Sequence, residues 1–427
     1  TAPVPELRLS QSFHRAADQP IGALISQALA NPGLISLAAG FVDPSTLPIE
    51  ATGELTASIF ADPSMGRDAL QYGTTTGRPD LRAEIFDRFV RPDFGAECPF
   101  TPDNLVITAG SNQLLYLLGE SLLDPGDIVI AAAPSYFVFL GTLSQLGAEV
   151  VGVEADGDGM DPAALEATLI EIKSAGQLNR LKAIYLVSYF DNPAGSTLTA
   201  SRRAKIIELA KQYSQDQRIM VISDEAYRPL SYEGDDLASM SSMDAASEFV
   251  VSAGTFSKSF SPGIRVGWGL LPDELVDAIT AQKNNIDFGS PNLNQFIVQR
   301  ALQTGRYETH VDNLRIAYRL KRDAMLAALD QYLGDIDDVV WRRPDGGLYV
   351  WLTLPKHLSA SPASALFHLA VERGVLYVPG QYCFPSKGTA VHENTIRLSF
   401  GVESAERIAD GIRILSLCIQ ETLASSD

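Results

Sequence analysis

A lysine set among small hydroxyl side chains is the first candidate for chemistry in this chain. The stretch Gly254-Thr-Phe-Ser-Lys-Ser-Phe-Ser-Pro-Gly-Ile-Arg-Val-Gly-Trp-Gly269 begins where one apolar run ends and finishes inside another. It carries Lys258, with Arg265 seven positions further on. A lone loop lysine is ordinarily a solvated surface residue, because lysine is seldom buried without a partner. Three other segments weigh against that bland reading. Ala109-Gly-Ser-Asn-Gln113 joins an apolar run to an apolar helical stretch at 114–123. Asp191-Asn-Pro-Ala-Gly195 closes another run, and Ser223-Asp-Glu-Ala-Tyr227 closes a third. An amine in a dry site with cationic neighbours has a lowered pKa and can act as a base near neutrality.

Such groups need a scaffold that gathers run ends in one place. From about residue 104 the chain alternates β-branched runs with helical stretches. The runs are Asn104-Leu-Val-Ile-Thr, Asp127-Ile-Val-Ile-Ala, Ala148-Glu-Val-Val-Gly-Val, Leu181-Lys-Ala-Ile-Tyr-Leu-Val, Arg218-Ile-Met-Val-Ile-Ser, Glu248-Phe-Val-Val-Ser-Ala and Arg265-Val-Gly-Trp-Gly-Leu. Most are continuously apolar rather than alternating, the pattern of parallel strands covered on both faces. Helical stretches at 162–172 and 201–213 supply crossovers. The reading is an α/β fold with a large, mostly parallel sheet flanked by helices. Open α/β sheets bind ligands at the carboxyl ends of their strands.

After residue 305 the texture changes. Residues 307–333 read as one amphipathic helix, with Val311, Leu314, Tyr318, Met325 and Leu329 at helical spacing. Gly347-Leu-Tyr-Val-Trp-Leu, a helix near 362–373, Val375-Leu-Tyr-Val-Pro-Gly, Ile396-Arg-Leu-Ser-Phe and a closing helix make a smaller α+β domain. The expected division is an N-terminal arm and part of the small domain at 1–50, the large domain at 51–305 and the small domain at 306–427.

Composition excludes several classes. With 33 Lys+Arg against 52 Asp+Glu, the net charge is -19, which repels phosphate backbones and anionic membranes. No nucleic-acid or membrane partner is expected. The most apolar early stretch, 21–40, is broken by Gln27, Asn31 and Pro32. The start Thr1-Ala-Pro-Val-Pro-Glu has no basic stretch before an apolar run, so no secretory signal is expected. Three distant cysteines, Cys98, Cys383 and Cys418, suit a reducing compartment, and the expected location is the cytoplasm. Five scattered histidines offer no metal spacing. Asp156-Gly-Asp-Gly-Met-Asp161 places Met160 where a calcium loop needs a ligand, so it reads as an acidic turn. Gly157 and Gly159 lack the third glycine of a dinucleotide fingerprint.

Taken in order, the motifs resemble the fold-type I, pyridoxal-phosphate-dependent aminotransferases of class I and II. They run as a glycine/serine turn, an aromatic after a proline (Ala133-Pro-Ser-Tyr136), Asn-Pro-x-Gly, Asp-x-x-Tyr, Ser-Lys and a late Arg. The match spans roughly 20–420. Pro20-Ile-Gly and Ile35-Ser-Leu-Ala-Ala-Gly-Phe resemble the branch of 2-aminoadipate and kynurenine aminotransferases. The resemblance implies the pyridoxal-phosphate-dependent transferase fold and a role for each matching residue. Lys258 would carry the cofactor as an internal aldimine and then move the substrate Cα proton. Asp224 would keep the pyridine nitrogen protonated. Asn192 and Tyr227 would donate to the phenolate oxygen. Gly110, Ser111 and Asn112, opening a helix, would face the phosphate with Thr255, Ser257 and Arg265. Tyr136 would stack on the ring. Arg397 would clamp the substrate α-carboxylate, Gly40 would allow close approach, and Tyr72 would reach the phosphate of a neighbouring subunit.

The function so implied is a homodimeric enzyme moving an amino group from an L-amino acid to a 2-oxo acid, 2-oxoglutarate among them, by a ping-pong route. Two alternatives stay open at this point: a pyridoxal-phosphate β-lyase, and an effector-binding domain of a transcription regulator, which the acidic charge disfavours. Asp191 before Asn192, Ala194 within Asn-Pro-x-Gly and the loop Gly380-Gln-Tyr-Cys-Phe384 depart from the family pattern and leave the substrate side chain open.

Overall fold

The computed structural model describes residues 4–16, 33–244 and 246–425. Pro20-Ile-Gly and the Gln27, Asn31 and Pro32 interruptions lie outside the described residues. All seven apolar runs form strands of one sheet: β1 (Leu105–Thr108), β2 (Ile128–Ala133), β3 (Glu149–Asp156), β4 (Leu181–Val187), β5 (Met220–Asp224), β6 (Val250–Thr255) and β7 (Gly267–Leu270). Their order across the sheet is β3-β2-β4-β5-β6-β7-β1. Every pair is parallel except those of β7, which runs antiparallel to both β6 and β1.

The continuous apolar runs have a physical cause. Successive side chains of a strand point to opposite faces, and both faces here are covered. Ile128, Ile130, Ile184 and Leu186 enter a core beneath the helices Pro162–Ser174 and Ala200–Tyr213. Val129, Ala131, Tyr185 and Val187 enter the core on the other face. In β2, β4, β5 and β6 neither face has a solvated register, so no alternation survives in those runs.

A second sheet follows. Strand β8 (Tyr349–Thr353) pairs antiparallel with β10 (Thr395–Ser399), and β10 pairs with β9 (Val378–Pro379). The long helix Arg306–Leu333 packs against the closing helix Ala405–Ala424. Early in the chain, Ile35–Ser36 pairs in parallel with Val375–Leu376. That pairing directs residues 38–41 across the space between the two sheets. Among the described residues no helix is long and apolar enough to cross a membrane.

Two local readings change in detail. Strand β7 starts at Gly267, not at Arg265. Arg265 sits before it in a left-handed backbone conformation, φ 48°, and its side chain turns to the carbonyl of Ala109. A non-glycine residue held there costs energy and marks a fixed turn. The acidic turn is a tight hairpin. Asp156 pairs with Arg202, and Asp161 caps the helix Pro162–Ser174.

The loop after β4 is secured by a fully buried arginine. Arg203 donates from Nε to Leu198 O at 2.8 Å, from Nη1 to Ala238 O at 2.7 Å and from Nη2 to Ser188 O at 2.8 Å. Its guanidinium also lies 4.1 Å from the Tyr189 ring centroid. Those contacts fix both ends of the segment that holds Asn192. Arg203→Ala removes a donor from three carbonyls, of which Ser188 O keeps the Leu198 N–H at 3.1 Å, and should cost about 3 kcal/mol. A denaturant midpoint within experimental error of the parent would contradict this account.

Candidate active site

The site lies at one edge of the large sheet, where the carboxyl ends of β1, β2, β4, β5 and β6 emerge. Each strand end delivers one group. Gly110 follows β1 and caps the helix Ser111–Leu122 with φ 83°. Tyr136 follows β2 and opens the helix Phe137–Leu146. Asn192 follows β4, Asp224 ends β5 and Thr255 ends β6. A cavity of about 290 Å³ is lined by Gly40, Ser111, Asn112, Tyr136, Asn192, Asp224, Tyr227, Thr255, Ser257, Lys258, Arg265 and Arg397. Twelve of the fourteen residues singled out in the sequence therefore share one space. Gly110 lies directly behind it, because a Cβ on Gly110 would meet Arg265 Nη2 at 2.6 Å. Tyr72 is elsewhere, 80% exposed, with its ring 6.3 Å from that of Phe288.

Lys258 Nζ points into the cavity and donates to Gly40 O at 2.6 Å. Burial lowers its pKa; Arg397 and Arg265 push the same way, against Tyr349. The side chain is only half-buried by surface area, and the part left open faces the cavity it lines. Asp224 is buried and accepts from Tyr185 Oη and the Ala226 N–H, each at 3.1 Å. Among the described residues it makes no ion pair, and burial raises its pKa to about 6. Asn192 follows Asp191 and precedes a cis proline. Its Nδ2 lies 3.5 Å from Tyr227 Oη, and its Oδ1 accepts from Arg397 Nη1 at 2.9 Å.

Arg397 is held from three sides. Besides Asn192 it donates from Nη2 to Ala38 O at 2.6 Å, and its guanidinium stands 4.5 Å from the Tyr349 ring centroid. Its Nε is buried without a partner. Arg265 donates to Ala109 O at 2.7 Å and reaches Ser257 Oγ at 3.5 Å. Thr255 Oγ1 and Ser257 Oγ are 3.0 Å apart. The first N–H groups of the helix Ser111–Leu122 have no carbonyl four residues back to bond to, so this corner is a built anion cradle.

Sequence reasoning missed several members. Tyr349 on β8 lines the cavity, with its hydroxyl 3.2 Å from Tyr227 Oη. Tyr185 supports Asp224 from β4. Phe41, Phe137, Val138, Val187 and Val378 supply apolar wall. Asp191 is a further buried carboxyl, pushed up to about 8 by burial, against Arg342 and with Asp224 adding to the rise.

The sequence profile of the family "Aminotransferase class I and II" matches residues 33–411. The chain belongs to the class I and II aminotransferases. Aromatic-amino-acid aminotransferase 1 of Thermococcus litoralis is 33% identical over 390 residues, 91% of this chain and 89% of that protein. The 2-aminoadipate transaminase of Thermus thermophilus is 33% identical over 423 residues, 98% of this chain and 99% of that protein. The crystal structure of LysN, an alpha-aminoadipate aminotransferase of Thermus thermophilus complexed with N-(5'-phosphopyridoxyl)-L-leucine, superposes with a TM-score of 0.83 at 32% identity, covering 98% of both chains. This aminotransferase is a pyridoxal-phosphate enzyme with the α/β fold of its relatives. Its residues fit the cofactor: an amine with a lowered pKa, a buried carboxyl without a cation, and an anion cradle share the cavity.

The raised carboxyls of Asp224 and Asp191 give the cofactor-free aminotransferase a pH signature, and buried Glu225, raised in the same direction, adds to it. A carboxyl whose pKa rises on folding takes up a proton, so its stabilising contribution is complete below the unfolded value and is lost as pH rises through the folded one. For Asp224 that window runs from 3.8 to about 6. For Asp191 it runs from 3.8 to about 8. Chemical denaturation across this range should show Asp224→Asn flattening the decline below about 6 while leaving the decline toward about 8. Equal slopes in parent and variant would remove Asp224 from the account.

Proposed function

We propose that this aminotransferase moves an amino group from an L-amino acid to a 2-oxo acid in two half-reactions at one site, with 2-oxoglutarate as the acceptor to test first. The observation that carries the reading is the convergence of Lys258, Asp224, Asn192 and Arg397 on one cavity. Among the described residues, only the guanidinium of Arg397 stands beside Asn192 and the Ala38 carbonyl. Amino acid and oxo acid share an α-carboxylate, so a single clamp implies that they bind in turn, which is a ping-pong order.

The proposed roles follow from placement. Ser111 and Asn112 donate backbone N–H groups to the phosphate from the turn at Gly110, whose own N–H is taken by Thr108 O at 2.8 Å, with Thr255, Ser257 and Arg265 beside them. Tyr136 covers the ring. Asp224 holds a proton on the pyridine nitrogen, and Asn192 and Tyr227 donate to the phenolate oxygen. Bound there, pyridoxal phosphate supplies the electron sink for the pair left when the substrate Cα loses its proton. Lys258 Nζ binds the cofactor and carries that proton, and its lowered pKa suits the task. Arg397 orients the α-carboxylate bidentately, and Gly40, lying over Lys258, keeps the approach open. The domain division at 51–305 and 306–427, with 1–50 as an arm joining the small domain, belongs to the same proposal, as does a cytoplasmic location.

We place the functional unit as a homodimer with Tyr72 reaching the partner's phosphate. Leu70, Tyr72, Ile286 and Phe288 are 71%, 80%, 52% and 68% exposed. That apolar patch suits a self-complementary contact.

Two experiments test these assignments. Borohydride should fix the cofactor on Lys258, and Lys258→Ala should lose oxo-acid-dependent amino exchange; an adduct on another lysine refutes the site. For the dimer, Lys258→Ala subunits are exchanged with Tyr72→Phe subunits. One site of each mixed dimer then carries both lesions and the other none, so activity should exceed that of either parent. Verified exchange without recovery places Tyr72 outside the site.

A further inference from the structure

Lys283 has no exposed surface, and nothing in the reaction above uses it. Its Nζ lies 2.9 and 3.0 Å from the two carboxylate oxygens of Asp287, one helical turn on, and 3.1 Å from Ser290 Oγ. Gln113 joins the cluster. Its Oε1 is 3.4 Å from Lys283 Nζ, and its Nε2 donates to Asp287 Oδ2 at 2.8 Å. A buried ion pair is weak evidence of added stability, because desolvation offsets its attraction. Burial lowers the Lys283 pKa, and Asp287 works against the shift.

The other contacts of the cluster point to a task. Gln113 Oε1 also accepts the N–H of Ala109 at 2.7 Å. The carbonyl of the same Ala109 accepts Arg265 Nη2 at 2.7 Å. Ala109 is thus gripped by both of its backbone groups, and Gly110 and Ser111 come next in the chain. On the far side, Ser290 Oγ donates to Ile107 O in β1 at 3.3 Å. The Gly289 N–H donates to Asp287 Oδ1 at 3.1 Å. Thr75 Oγ1 reaches Phe288 O at 2.9 Å, and the Phe288 ring neighbours Tyr72. One continuous set of contacts therefore runs from the Tyr72 segment to the turn that opens the helix Ser111–Leu122.

We propose that Gln113, Lys283 and Asp287 are positioning residues for the cofactor phosphate: they hold the Ala109–Ser111 backbone in its anion-binding shape and tie it to the Tyr72 segment. The inference rests on the reading that the phosphate lies at Gly110–Asn112. Gln113 fixes the turn from one side as Arg265 fixes it from the other. The buried amine beneath it orients the Gln113 amide, since a cation at Oε1 and a carboxylate at Nε2 permit only one flip state.

The test compares two probes on the full-length protein freed of cofactor. Pyridoxal 5'-phosphate and pyridoxal share the ring and aldehyde, and only the first carries the phosphate. Gln113→Leu and Lys283→Met should each lower the affinity for pyridoxal 5'-phosphate about tenfold and leave pyridoxal nearly unchanged, the effect of one misplaced charge-assisted contact. Gln113 is half-buried, and its leucine variant keeps the ion pair, so the outcome does not depend on the folding of Lys283→Met. Equal loss for both probes, or loss for neither, overturns the proposal and leaves the cluster purely structural. Arg265→Ala is the control for the underlying reading. If that variant keeps the full preference for the phosphorylated probe, the phosphate binds elsewhere and both claims fall.

Discussion

A single reversed strand decides where the cation of this site comes from. The strands β1 to β6 of the large sheet run parallel to one another, so their carboxyl ends gather along one edge. Strand β7 runs the other way between β6 and β1, so its beginning lies on that same edge. Arg265 stands just before that beginning, and its contact with Ala109 O spans the gap to the turn after β1. The approach is close enough to fix residue types around it. A Cβ on Gly267 would meet the backbone of Gly110 at 2.6 Å. Gly267 leaves room for the turn, the turn leaves room for the guanidinium, and the guanidinium is held in a left-handed backbone that its neighbours must enforce.

The other half of the site depends on a different connection. Arg397, on β10, links Asn192 of the large sheet to the Ala38 carbonyl of the early segment. Those three positions are far apart in sequence, and each is buried. A buried guanidinium with one unpaired nitrogen is costly to maintain. A substrate carboxylate is the kind of group that would offset that cost. The pairing of Ile35–Ser36 with Val375–Leu376 makes the arrangement possible, because it carries residues 38–41 to the mouth of the cavity.

The large sheet was legible in the sequence because strands buried on both faces leave unbroken apolar runs, and three of those runs are followed by small or polar segments, 109–113, 191–195 and 223–227. Lys258, Asp224, Asn192 and Gly110 stood out in such segments, and the order of the motifs gave them roles by resemblance to the family. Arg397 was less so, since Ile396 and Leu398 on either side suggest an alternating strand with one solvated face. In fact every residue of Thr395–Ser399 is buried, and the arginine points inward. Tyr349 was invisible for the same cause: a tyrosine in Gly347-Leu-Tyr-Val-Trp-Leu reads as packing. Gln113 and Lys283 carry no signal at all, because a helical Gln and a helical Lys are ordinary surface residues until the tertiary contacts are known. Tyr72 was picked out by family likeness, and within one chain it has no site to join.

The division of labour between the two sheets has a consequence for turnover. The residues proposed to hold the cofactor, from Gly110 to Arg265, all stand on strand ends or turns of the large sheet, cross-tied by Arg265, Gln113 and Tyr185. The groups proposed to meet the substrate, Gly40 and Arg397, and the Tyr349 wall beside them come from the early segment and the second sheet. Contact between the sets is narrow: Asn192 with Arg397, Tyr227 with Tyr349, and Lys258 with Gly40. In the proposed two-step transfer one acid would leave and another enter while the cofactor stays. Separate supports suit that proposal, because hydrogen bonds that would break as Arg397 exchanged one carboxylate for the next are not the ones that keep the proposed anion cradle in shape.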